Sequence, residues 1–364
     1  MQNMEQNDDA VNSKFYVGSY GEQGEATVHL CEINTSTGEI KKLQAFRGVA
    51  QASYLSLNEE KTKLYAVQET AETAGEPGGS AVSLELDTNG QLVSVTSQSL
   101  THGDHPCYIY FWEEQQVAIV ANYSGGNVAV LPVDSKGYLM PASAIVKNGD
   151  TGTKVNEERQ QGAYAHSIIP IPDTTFVAVA DLGMDAIIIY QLDGATKQLS
   201  RHSVCSLHAG AGPRHIVFHP QLAVAYVINE LDSTVSVLQV NKEQGTVTVV
   251  QTISALPEGF NAYNDAADIH ITKDGRFLYS SNRGHNSIAA FAVDAETGQL
   301  TAVQHVPSGG ELPRNFAIVP GEKYVLVANM KSGLIVVFTR DEVTGLLTKT
   351  DNNLEITSPV CIRF

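Results

Sequence analysis

The chain is short of positive charge. Its 364 residues hold 23 Lys and Arg against 40 Asp and Glu, a formal net charge of −17. Binding to nucleic-acid phosphates needs clustered Lys and Arg, so that balance argues against a nucleic-acid partner. It argues equally against adsorption to an anionic membrane surface. Long apolar runs are also missing, and none approaches the ~20 residues that span a bilayer. The start, from Met1 to Asp9, has neither a basic opening nor an apolar stretch. No secretory signal is expected there, and a cytoplasmic location follows. The four cysteines, Cys31, Cys107, Cys205 and Cys361, form no CxxC pair and read as reduced thiols. A single tryptophan, Trp112, excludes Trp-Asp repeats. No segment sustains a 3.6-residue period, so helix content is expected to be low.

What is present is a repeat. Length alone suggests two or three domains. Seven times, however, an apolar run ends in Asp or Asn and a polar turn, usually with Gly. The turns open at Asn34, Asp87, Asp134, Asp193, Asn241, Asp294 and Asp341, 47 to 59 residues apart. Asp and Asn open such turns because the side chain bonds the backbone two residues on. Before each run lies a second short stretch rich in Val, Ile, Tyr and Phe, which reads as a strand. A third precedes it in six units, as in Pro213-Arg214-His215-Ile216, and the N-terminal unit lacks it. One such stretch, Pro359-Val360-Cys361-Ile362, is left over at the C-terminal end. Four strands per unit, seven units and a circular offset describe a seven-bladed, all-β propeller with four antiparallel strands per blade, its C-terminal strand closing the first blade. A two-barrel sandwich is the alternative, and it leaves the offset unexplained. The expected organisation is a disordered tail over residues 1–13 and one propeller domain over residues 14–364. Polar insertions at residues 147–163 and 252–264 run directly into channel-lining strands, and loops over a scaffold's mouth often carry function.

Comparing the units separates architecture from chemistry. The second position of the innermost strand reads Ser53, Cys107, His166, Arg214, Asp268, Arg314 and Val360. The exit of the next strand reads Tyr20, Glu69, Tyr123, Asp181, Glu230, Arg283 and Met330. Both columns change chemistry from blade to blade. One step before the exit, Asn122, Asn229, Asn282 and Asn329 recur and read as turn caps. Arginine inside a strand needs an anionic partner or ligand, and Glu230 and Asp268 are the expected carboxylates. An Arg-lined mouth in an acidic protein suits a small anionic substrate, because guanidinium offers planar paired donors. The alternative is a ring of structural ion pairs. The chain has no G-x-S-x-G elbow and no phosphate-binding Gly-Lys loop. Gly210-Ala211-Gly212-Pro213-Arg214-His215 lacks the last glycine of a dinucleotide fingerprint. No H-E-x-x-H or compact ligand cluster suggests a metal, and no cofactor is expected.

Several strings resemble the lactonase family of seven-bladed propellers. They are Arg159-Gln160 with Ala165-His166-Ser167, Gly212-Pro213-Arg214-His215 with Asn229-Glu230-Leu231, Ser281-Asn282-Arg283-Gly284-His285, and Pro313-Arg314-Asn315-Phe316. The resemblance covers residues 14–364. It implies a carboxylic-ester (lactone) hydrolase similar to 6-phosphogluconolactonases of the pentose phosphate route. It implies His166, Arg214, Glu230 and Arg283 as catalytic residues, all four of which stand in the two varying columns. Asp181, Asp268, Arg314 and His285 are the substrate-binding candidates. One departure is visible: the family often has His-Ala-His where this chain has Tyr164-Ala165-His166. His166 suits a general base, since its ordinary pKa lies near neutrality. The resemblance leaves two other readings open, a carboxymuconate-type lactonising cycloisomerase and a non-catalytic ligand-binding propeller.

Overall fold

The computed structural model describes residues 12–364, and they form seven four-stranded antiparallel sheets arranged as blades around a central channel. From inside outward, blade 1 consists of Pro359–Arg363, Asn12–Ser19, Ala26–Asn34 and Ile40–Arg47. The C-terminal strand therefore closes the ring, pairing Val17 with Ile362 and Gly18 with Cys361. Blades 2 to 7 begin with the innermost strands Leu55–Leu57, Pro106–Trp112, Ala165–Pro170, Pro213–Phe218, Asp265–Ile271 and Pro313–Ile318. The expected tail over residues 1–13 is too long. Asn12 and Ser13 already pair with Asn34 and Ile33. Residues 1–11 lie outside the described residues. Helix is confined, among the described residues, to one 3₁₀ turn at Glu113–Gln115. None of it is long and apolar enough to cross a membrane.

Burial follows position in the blade. Second strands such as Val224–Asn229 and Tyr324–Asn329 are buried along their whole length, because neighbouring blades cover both faces. Their near-continuous Val, Ile, Leu and Ala content matches that environment. Outer strands such as Thr246–Ser254 alternate or face water. The expected turn chemistry is present: Asp294 Oδ1 accepts the Glu296 and Thr297 amides, and Asp341 Oδ1 those of Val343 and Thr344.

A tyrosine latch joins successive blades. Tyr226 Oη donates 2.8 Å to Gly298 O in the next blade, Tyr279 donates 2.6 Å to Gly345 O, and Tyr16 donates 2.6 Å to Gly90 O. Tyr324 closes the circle by donating 3.1 Å to Ser36 O of blade 1. Gly345 has φ +72°, and a Cβ there would stand 2.2 Å from the Phe277 ring, so the turn requires glycine.

Candidate active site

Backbone bulges build one mouth of the channel. In blades 3, 4, 5 and 7 the innermost strand carries one extra residue near its start. The pairing skips from Pro106 to Tyr108, Ala165 to Ser167, Pro213 to His215, and Pro313 to Asn315. A bulge re-aims the extra side chain. The four extra residues are Cys107, His166, Arg214 and Arg314. The first, second and fourth line a cavity of about 160 Å³ together with Glu69, Tyr123, Arg159, Glu230, Asp265 and Arg283. Arg214 does not line it and meets it through Glu230.

Glu230 is the centre of this cluster and is 2 % exposed. Its Oε1 accepts from Arg159 Nη2 at 2.6 Å. Its Oε2 lies 3.0 Å from Arg214 Nε, 3.1 Å from Arg283 Nη2 and 3.7 Å from His166 Nε2. These Oε2 contacts are at ion-pair distance but poorly aligned. Glu230 Oε2, Arg214 Nε and Arg283 Nε are left without a hydrogen bond. Arg214 Nη1 donates to Ala267 O, and Arg283 Nη2 donates to Ala266 O at 3.1 Å. Arg314 has no ion pair among the described residues. Its guanidinium sits 5.6 Å from the Tyr20 ring centre, and Tyr20 Oη donates 3.1 Å to Glu69. Four guanidinium groups thus face three carboxylates, Glu69, Glu230 and Asp265.

The charge states follow from this crowding. Burial works to raise the Glu230 pKa, but Arg283, Arg214, His166 and Arg159 overcome it and hold the carboxyl well below its usual range. Burial, then Arg214, push His166 well below 6.5, so its imidazole is neutral at pH 7. Burial, Arg314 and Arg283 bring Arg214 down to about 10, still protonated at neutrality. Burial raises the Cys107 thiol, which stays protonated. Among the described residues no group of His, Cys, Asp and Glu is arranged to hold a metal ion.

Three substrate-binding candidates lie elsewhere. Asp181 pairs with Ala165 at the place where Asn122 pairs with Pro106, so it belongs to the Asn column and not to the exit column. It is fully buried, and accepts from Asn148 Nδ2 at 2.7 Å and from the Tyr164 and Met184 amides. Asp268 stands one residue past the bulge of its strand. In blade 6 Ala266 pairs with Asn282 as Pro213 pairs with Asn229, and Ala267 and Asp268 follow before Ile269. Ala267 therefore matches Arg214, and Asp268 matches His215, one layer deeper. There Asp268 accepts from His215 Nδ1 at 2.7 Å, His270 Nε2 at 2.9 Å and Asn315 Nδ2. It gives no ion pair to Arg283, and Glu230 alone serves both arginines. His285 is turned away, its Nδ1 2.7 Å from Ser287 Oγ and its ring against Phe260. Arg314 does line the cavity.

Arg159, Tyr123, Glu69, Cys107 and Asp265 are cavity residues absent from the expected set. Three of them stand in the varying columns, which was the available signal. Arg159 and Asp265 come from the insertions and their edges, where no repeat marks a position.

Fold and cluster together define a class, a β-propeller whose polar chemistry gathers in the mouth of its channel. The pattern described as "Lactonase, 7-bladed beta-propeller" matches residues 14–364. The chain belongs to this lactonase family of seven-bladed β-propellers. It is 34 % identical to a 6-phosphogluconolactonase of Bacillus subtilis over 96 % of this chain and 97 % of that one. A crystal structure of a putative 6-phosphogluconolactonase from Bacteroides fragilis superposes with a TM-score of 0.89 at 30 % identity, covering 99 % of each chain. The structure of a periplasmic gluconolactonase from Pseudomonas aeruginosa gives 0.90 at 33 % identity, covering 97 % of this chain and 99 % of that one.

Proposed function

We propose that this protein hydrolyses 6-phosphoglucono-1,5-lactone to 6-phosphogluconate. The observation that carries this reading is a neutral, buried imidazole, His166, in a cavity that also presents Arg314, a guanidinium with no ion pair among the described residues. A neutral imidazole accepts the proton of an attacking water, and unpaired guanidinium groups attract an anion. The 6-phosphogluconolactonase of Bacillus subtilis, 34 % identical along nearly the whole chain, supports the same substrate.

In the proposed reaction His166 takes a proton from water as its oxygen bonds to the lactone carbonyl carbon. The carbonyl oxygen becomes an oxyanion, which Arg314 and Arg283 stabilise because both line the cavity. Arg214 is spent on Ala267 O and Glu230, so its role is to hold Glu230 in place. Glu230 is engaged by three arginines, so its assigned role is charge balance and not proton transfer. When the intermediate collapses, the bond from the carbonyl carbon to the ring oxygen breaks. The imidazolium then returns its proton to that oxygen. A cytoplasmic location belongs to the same proposal.

The relative named as a periplasmic gluconolactonase favours a second reading, in which the lactone carries no phosphate. Comparing kcat/KM for glucono-1,5-lactone with and without the 6-phosphate decides between them. The proposal expects a clear preference for the phosphorylated lactone. Equal or reversed preference sinks it.

A further inference from the structure

The insertion at residues 147–163 is a braced arm. Gln160 is fully buried, and its Nε2 donates to Leu182 O at 2.9 Å and to Asp185 Oδ1 at 2.7 Å. Asp185 also accepts from Thr153 Oγ1 at 2.8 Å and from the Gly210 and Gly212 amides at 2.7 Å. One buried carboxylate thus ties the arm to the segment that leads into Arg214. Asn156 Oδ1 accepts the Glu158 and Arg159 amides and fixes the turn at the arm's tip.

What the arm holds out is Arg159. Its side chain is 32 % exposed, against 3 % for Arg214 and 11 % for Arg283. Its Nη2 is committed, to Glu230 at 2.6 Å and to Tyr123 Oη at 3.2 Å. Nη1 lies 3.7 Å from Asp265 Oδ2, too far for a hydrogen bond, and Nε has no partner among the described residues. The same side chain lines both the inner cavity and an adjoining outer cleft of about 400 Å³. Arg159 is therefore a charged group at the rim, with unused donors, reachable from both sides.

We infer that Arg159 is a specificity-determining residue that binds an anionic group at the end of the substrate remote from the carbonyl, the phosphoryl group of a phosphorylated sugar lactone. This rests on the functional reading above and sharpens it. With the carbonyl at His166, the exocyclic phosphate lies several bonds away and points to the rim. Arg314 issues from the same bulge layer as His166 and serves the reacting end. A guanidinium with free N–H groups suits phosphoryl oxygens, and the braced backbone limits the ordering cost of binding.

The test uses the full chain with Arg159→Gln and Arg159→Lys. It reads calorimetric binding of 6-phosphogluconate, and kcat/KM for the lactone with and without phosphate. Arg159→Gln is expected to weaken 6-phosphogluconate binding about 10- to 100-fold, the worth of a charged hydrogen-bonded contact, with a matching loss on the phosphorylated lactone. The loss on the unphosphorylated lactone should be clearly smaller than on the phosphorylated one, and Arg159→Lys should recover part of the difference. Equal losses on both lactones, or unchanged 6-phosphogluconate affinity, overturn the inference and leave Arg159 as a brace for Glu230. If the wild type hydrolyses neither lactone, the functional reading fails. The binding arm still decides on Arg159, because wild-type affinity lost in Arg159→Gln supports it and absent or unchanged affinity overturns it.

Discussion

Glu230 and Asp268 are both buried carboxylates in the same channel, about one layer apart, and their surroundings differ in kind. Glu230 is held by three guanidinium groups through mostly misaligned contacts, with a cavity above it and a fourth guanidinium, Arg314, left unpaired. Asp268 is saturated by His215, His270, Asn315 and the Phe316 amide. Its main partner is neutral, because burial and Arg214 bring the His215 pKa down to about 3. The deeper layer also opens on a cavity, of about 320 Å³, but its carboxylate is hydrogen-bonded throughout, whereas the upper one keeps charge and hydrogen-bond capacity in reserve. That reserve is what a ligand can use, and it marks a site better than burial or an ionised carboxylate alone.

The contrast can be broken most severely at its centre. Glu230→Gln leaves Arg214 buried and unbalanced, and should cost about 3–5 kcal/mol of stability. Asp268→Asn should cost about 1.5–3 kcal/mol, since it removes charge from hydrogen bonds that His215, His270 and Asn315 make to it. Denaturant midpoints check both, and a larger loss for Asp268→Asn would reverse the ranking. Next, Arg314→Gln should lower kcat about 100-fold, the usual cost of one oxyanion donor. Steady-state kinetics that show only a raised KM would move Arg314 from the reacting end to substrate binding.

Acid should weaken both layers together. His166 and His215, and His29 in blade 1 with a pKa of about 4, are buried and neutral when folded. Below pH 6.5 the unfolded chain binds protons that the folded chain refuses, so stability falls with pH. Each histidine contributes about 1.4 kcal/mol per pH unit, from pH 6.5 down to its own folded value. Melting temperature should be level from pH 8 to 7 and fall steadily below 6.5. A flat profile down to pH 5 contradicts the neutral assignments. The smallest effect expected is at the rim of the ring. Tyr226→Phe should cost about 1 kcal/mol by losing the latch to Gly298 and leave kcat unchanged. A kcat loss there would mean that blade packing tunes the site.

Much of the fold was legible because a repeat acts as its own alignment. Turn residues fixed the blade count, and the surplus strand at Pro359–Arg363 fixed the closure. The site was legible where each blade carries the same bulge, as at His166, Arg214 and Arg314. It failed by one residue where the spacing slipped. Blade 6 carries the same one-residue bulge, but its extra residue is Ala267, so Asp268 matches His215 instead of Arg214. In blade 4 an aspartate fills the Asn position, so residue type alone places Asp181 one step too far along. The residue at which a strand bulges is a backbone property with no marker in residue type. Arg159 was hidden for a different reason. Its place depends on Asp185 and Gln160 bracing an insertion, a tertiary contact that no other blade repeats.

The central claim is that the neutral imidazole over the Glu230 cluster is the base of a lactone hydrolase. The most direct measurement is the rate of 6-phosphoglucono-1,5-lactone hydrolysis, above the spontaneous rate, by the wild type and by His166→Ala. The account predicts acceleration by the wild type and a loss of about 100- to 10,000-fold in the variant, with its melting temperature largely kept. A wild type that adds nothing to the spontaneous rate, or a His166→Ala protein as fast as the wild type, would contradict it.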